Sequence, residues 1–157
     1  MSNKKLTKIS SIKICELDLI VYDFDGVMTD NRALLNEEGE ESVFIHRGDG
    51  LAIQEIKNLG IDQIIISTEE KPIVQKRADK LGLFALHGIK NKKLELFKLC
   101  QKKKLNLSRV AYVGNDINDL EVMQEVGFPI APNDGEMHIK EIAKIITKKN
   151  GGFGMKM

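Results

Sequence analysis

The chain has 157 residues, 42% hydrophobic and 30% charged, which is enough apolar material to bury a core and too little length for a second large domain. Lys plus Arg (24) almost cancel Asp plus Glu (23), so a polyanion binder working by bulk charge, such as a general nucleic-acid protein, is excluded. The two cysteines, Cys15 and Cys100, match no metal spacing and build no disulfide framework, as expected of a reduced, cytoplasmic protein.

Met1 to Lys13 has scattered lysines without an apolar stretch or a small-residue cleavage site, so it does not read as a signal peptide. No segment approaches the ~20 apolar residues that span a bilayer, and no membrane role is expected. Leu17 to Tyr22 is an apolar, β-branched run that predicts a buried strand. Thr29 to His46, with Gly39 among acidic residues, predicts a β-hairpin, with Leu34, Leu35, Val43 and Ile45 leaving one face without a partner.

Helical spacing follows over Asp49 to Leu59, stopped by Gly60. Ile61 to Ile66 is a second strand, and Pro72 opens a helix that runs to Leu81 and ends at Gly82. Leu83 to Leu86 is a third strand and Asn91 to Lys103 an amphipathic helix, whose Lys102 to Lys104 run is a solvated end. Val110 to Val113, Leu120 to Val126 and Phe128 to Ala131 complete the pattern as strand, helix and strand. Such alternation predicts an α/β fold, a three-layer Rossmann-like parallel sheet with helices on both faces, a small hairpin flap and no cap domain. Residues 1–157 are expected to form one domain, with the flap at 29–46.

Parallel sheets bind ligands at the carboxyl ends of their strands, and those positions hold a short list of polar residues. Strand one ends in Asp23-Phe24-Asp25-Gly26, strand two in Ser67-Thr68, and Asn91-Lys92 opens a helix after strand three. Strand four ends in Gly114-Asn115-Asp116, with Asn118-Asp119 just beyond. Each piece alone is an ordinary turn or helix cap; their joint order is what points to chemistry. Asp23, Asp25 and Asp116 together need a cation, and oxygen ligands without His or Cys favour Mg²⁺. Ser67 can hydrogen-bond a phosphate and Lys92 can balance its charge, while one carboxylate attacks phosphorus and another moves protons.

That order of motifs resembles the haloacid dehalogenase superfamily of phosphatases over nearly the whole chain. Asp23-Phe24-Asp25-Gly26-Val27-Met28-Thr29-Asp30 is similar to the first motif, Ser67 to the second, Lys92 to the third, and Gly114-Asn115-Asp116-Ile117-Asn118-Asp119 to the fourth. The resemblance implies Asp23 as nucleophile and metal ligand, Asp25 as acid/base with its carbonyl on the metal, and Asn115 and Asp116 as further ligands. Asn115 stands where the family usually carries Asp.

Without an inserted cap, the chain resembles the minimal-cap branch, whose members assemble as tetramers with one subunit's hairpin helping to cover a neighbour's site. A homotetramer acting on a small sugar-acid phosphate is therefore implied. Branch members act on 3-deoxy-D-manno-octulosonate 8-phosphate or on nine-carbon sialic-type acids. Ser67-Thr68-Glu69-Glu70-Lys71-Pro72, in place of Thr-Gly-Arg, favours the nine-carbon reading, with the octulosonate phosphate as the alternative. Thr68, Asp49, Gly50, Glu69 and Asp119 are the expected substrate-binding residues, and the family's C-terminal Arg contact is expected to be lost or replaced by Lys156. A third reading is a catalytically weak assembly domain partnering a cytidylyltransferase. A signalling receiver domain fails, because its phosphorylated Asp follows a middle strand.

Overall fold

The computed structural model describes Lys13 and residues 16–154; Cys15 and Lys156 lie outside them. The strands are β1 (Leu19–Tyr22), β2 (Thr29–Leu35), β3 (Glu41–Ile45), β4 (Asp62–Ile66), β5 (Phe84–Leu86), β6 (Val110–Val113), β7 (Phe128–Ala131) and β8 (Ile145–Ile146). The helices are α1 (Asp49–Asn58), α2 (Ile73–Leu81), α3 (Lys92–Lys103), α4 (Leu120–Met123) and α5 (Met137–Ile142). Among these residues no helix is long and apolar enough to cross a membrane.

Six strands pair in the order β5-β4-β1-β6-β7-β8, all parallel, and β2 and β3 form a separate antiparallel ribbon. Strand residues alternate between faces, so each strand feeds two apolar layers. Ile20, Tyr22, Ile65, Ala111 and Val113 pack with Ile53 of α1 and Val74 and Ala78 of α2. Leu19, Val21, Ile64, Ile66 and Tyr112 pack on the other face with Leu96 of α3, Met123 of α4 and Ile139 of α5. Both faces are covered, which is why β1 and β6 are buried at every position. The result is a three-layer Rossmann-like sheet.

Helix ends follow local chemistry. Asn91 caps α3 by accepting the Leu94 N–H at 2.8 Å, and Gly82 closes α2 in the left-handed region at φ 65°. Three expectations are corrected. The helix expected to run to Val126 stops at Met123, because the chain must turn at Gly127, where any Cβ would overlap the Ser108 carbonyl. Residues 132–146 add α5 and β8, a sixth sheet strand too short to leave a periodic signal. In the hairpin, Val43 packs on the core while Leu34, Leu35 and Phe44 are the exposed apolar residues. A register shift between Thr29 and Ala33, with Asn31 at φ 62°, turns the ribbon away from the simple alternation read from sequence.

Candidate active site

The chain runs from β1 outward to β5, then returns to β6 on the other side of β1. That reversal opens a crevice at the carboxyl ends of β1 and β6. Three residues sit just past their strands and extend the ladder: Asp23 N–H donates to Val113 O at 2.9 Å, Ser67 N–H to Leu86 O at 2.9 Å, and Gly114 N–H to Ile130 O at 3.1 Å. Backbone pairing thus carries the first, second and fourth motifs to one edge.

Lys92, at the start of α3, sits between two carboxylates, 2.8 Å from Asp23 Oδ1 and 2.8 Å from Asp119 Oδ1. All three side chains are buried. Burial alone would lower the Lys92 ammonium, but Asp23 and Asp119 outweigh it and hold the group above its usual range. Burial, reinforced by the Asp119 charge, pushes the Asp23 carboxyl upward against the pull of Lys92 and the Phe24 N–H. Asp23 Oδ1 accepts from both Lys92 and Phe24 N–H (2.7 Å), and Oδ2 accepts from no described residue.

Thr29 Oγ1 donates to Asp25 Oδ1 at 3.5 Å and accepts the Gly26 N–H at 3.2 Å, shaping the turn after Asp23. Burial, then the nearby Glu69 charge, raises the Asp25 carboxyl. Gly26, at φ 78°, lies so close to Asn115 that a Cβ there would overlap the amide. Asn115 Oδ1 is buried with no hydrogen-bond partner. Among the described residues no three His, Cys, Asp or Glu side chains form a metal cluster. A buried amide oxygen without a partner, packed against the loop that carries Asp23, is the donor chemistry a hard cation takes.

Ser67 is buried, and its Oγ accepts the Glu69 N–H at 3.1 Å, leaving its hydrogen to donate. Glu69 and Asp25 line a cleft of about 740 Å³ between the hairpin and the start of α2, together with Arg32, Glu41 and Lys71. Both cations there are engaged: Lys71 with Glu41 at 3.0 Å and Arg32 with Asp30 at 2.6 Å.

Other expected residues fall elsewhere. Asp116 Oδ1 caps the following turn through the Ile117 N–H at 2.6 Å, so Asn115, not Asp116, faces the Asp23 loop. Asp119 is fully enclosed and is not among the residues of that cleft; its Oδ2 accepts Asn115 N–H at 3.0 Å. Its Oδ1 holds Lys92. Asp49 pairs with Arg77 at 3.4 Å, Gly50 packs near Leu81, and neither lines the cleft. Thr68 is exposed and is not among the cleft residues either. Tyr112 was missed: its hydroxyl donates to Asp119 Oδ1 at 2.9 Å, and its only sequence signal is a polar-tipped residue in the strand before Gly114.

Residues 83–154 match the family model described as haloacid dehalogenase-like hydrolase. A 3-deoxy-D-manno-octulosonate 8-phosphate phosphatase from Salmonella typhi is 30% identical over 155 residues, 98% of this chain and 80% of the relative. The chain belongs to the haloacid dehalogenase-like hydrolases. Within this family it is a phosphoric monoester hydrolase. A crystal structure of a chain assigned to the same hydrolases in Streptomyces avermitilis superposes with TM-score 0.89 at 40% identity, covering 92% of this chain and 83% of that one. The octulosonate 8-phosphate phosphatase of Moraxella catarrhalis, in complex with magnesium, phosphate and the sugar acid, superposes with TM-score 0.86 at 33% identity. The match covers 90% of this chain and 82% of that one.

Proposed function

We propose that this hydrolase removes the terminal phosphate of 3-deoxy-D-manno-octulosonate 8-phosphate through a phosphorylated Asp23. The observation that carries the reading is Asp23 itself, held by Lys92 and the Phe24 N–H on one oxygen with the other free, on a loop whose Gly26 packs against the unpartnered Asn115 amide. Similarity to the Salmonella and Moraxella octulosonate enzymes supports the eight-carbon acid. The nine-carbon acids stay as a second reading on one observation, Glu69 in the cleft at the position of the octulosonate enzymes' usual Arg.

Asp23 Oδ2 attacks phosphorus, the bond from phosphorus to the sugar oxygen breaks, and Asp25 gives its proton to that oxygen. Burial and Glu69 hold the Asp25 carboxyl high, which keeps the proton available. The Asp25 carboxylate then takes a proton from water, the water oxygen bonds to phosphorus, and the Asp23–phosphorus bond breaks to release inorganic phosphate. Lys92 and the Ser67 hydroxyl hold the phosphoryl oxygens through both transfers. Asp23, Asn115 and the Asp25 carbonyl would hold Mg²⁺, which when bound neutralises the phosphate and polarises it as a Lewis acid.

In this proposal residues 1–157 work as one phosphatase unit that assembles as a homotetramer. Arg32 and Lys71, both exposed, stand at the cleft in pairs with Asp30 and Glu41, and in this proposal a neighbouring subunit adds a further cation for the sugar carboxylate. Phosphate release should be compared for octulosonate 8-phosphate, neuraminate-type 9-phosphates and hexose phosphates, with Mg²⁺ and with EDTA. Octulosonate 8-phosphate is expected to turn over fastest, and only with Mg²⁺. A faster nine-carbon substrate would replace the eight-carbon reading, and no release from any would leave an assembly domain. Asp23→Asn should keep less than about a tenth of the activity.

A further inference from the structure

Asp119 is 0% exposed, yet four donors converge on it: Lys92 Nζ and the Tyr112 hydroxyl on Oδ1, and the Asn115 and Asp116 N–H groups on Oδ2. Tyr112 is likewise 0% exposed, its ring locked in the apolar layer under α3 and α4. Burial and the Asp119 and Asp23 charges hold the phenol far above its usual range, so it remains a donor.

We propose that Tyr112 is a positioning residue for phosphoryl transfer, acting through Asp119 on Lys92. The inference rests on the reaction proposed above. In the resting site Lys92 lies at equal distance, 2.8 Å, from Asp23 and Asp119. When Asp23 Oδ2 bonds to phosphorus, the Asp23 carboxylate loses its charge, and of the two carboxylates Asp119 alone still holds the ammonium. The Tyr112 hydroxyl occupies a lone pair of the same oxygen and limits how far Asp119 draws Lys92 back. Lys92 then keeps its reach toward the phosphoryl oxygens during transfer, where its charge counts most.

Tyr112→Phe keeps the ring and removes only the hydroxyl. The expected result is a five- to tenfold fall in kcat with KM within about twofold, the size set by one hydrogen bond near 1 kcal/mol. Inhibition by orthovanadate, which imitates five-coordinate phosphorus, should weaken by a similar factor, while inhibition by inorganic phosphate stays unchanged. In an Asp119→Asn background the Tyr112→Phe effect should largely vanish. If Tyr112→Phe keeps kcat within twofold of wild type while Asp23→Asn is inactive, the active site stands and this inference falls. Equal weakening toward vanadate and phosphate, or full additivity with Asp119→Asn, would also overturn it. An Asp23→Asn variant as fast as wild type would remove the underlying reaction, and this inference with it.

Discussion

Asn115 concentrates the chemical tension of the site in one side chain. A buried amide oxygen without a partner costs about 1–3 kcal/mol, and Asn115 Oδ1 carries that cost against the Gly26 turn that follows Asp23. Asn115→Asp would add a charge to the same position. Calorimetry with Mg²⁺ alone should show binding at least as tight as wild type, because the ligand set gains a carboxylate. In EDTA the same variant should melt earlier, since a carboxylate is then buried at position 115 without a partner. Weaker Mg²⁺ binding by the Asp variant would take Asn115 out of the ligand set. Tyr112 and Asp119 show the complementary case, where the Tyr112 hydroxyl and both Asp119 carboxylate oxygens have hydrogen-bond partners.

The pairing of strand ends sets the next scale. Arg109, just before β6, holds Asp18, just before β1, through a two-pronged contact at 2.7 and 2.8 Å. Hydrogen bonding from Arg109 keeps the Asp18 carboxyl below its usual range. A folded value below the unfolded one adds stability above the ordinary Asp range near pH 4, and that stability fades as pH falls through it. Both side chains are partly exposed, at 42% and 34%, so the pair is worth about 0.2–1 kcal/mol. Asp18→Asn should therefore lower the neutral-pH melting midpoint slightly, with the gap to wild type closing between pH 5 and pH 3 (roughly, from the usual carboxylate range). A gap that grows on acidification would refute the assignment. Arg77 of α2 joins the His46 carbonyl (3.0 Å) to Asp49, tying the exit of the hairpin to the first turn of α1.

For the whole molecule, the hairpin is the part the sheet does not cover. Leu34, Leu35 and Phe44 are 67%, 63% and 69% exposed, large apolar side chains on a ribbon that borders the cleft. The proposed tetramer would bury them and bring a neighbour's cation to the substrate. Leu35→Lys should reduce the oligomer seen by light scattering and raise KM for the sugar phosphate several-fold, with the melting curve of the sheet unchanged. A wild-type chain that is fully active as a monomer at assay concentration would end the tetramer reading.

The strand–helix alternation, the stops at Gly60 and Gly82 and the cap at Asn91 are local matters, set by neighbours a few residues away. They were therefore legible in the sequence, as were Asp23, Asp25, Ser67 and Lys92, because each follows a strand or opens a helix. What the sequence could not supply was the direction of each side chain. Asp116 and Asp119 are three residues apart in one motif, yet one caps a turn and the other anchors Lys92. That division depends on β6 lying beside β1, which brings Asp119 from the turn after β6 and Lys92 from α3 to the same buried point. The hidden hydroxyl of Tyr112, the orphaned oxygen of Asn115 and the pairing of Lys71 with Glu41 arise in the same way. Each is a relation between separate elements, and only their packing decides which polar atoms meet and which are left free.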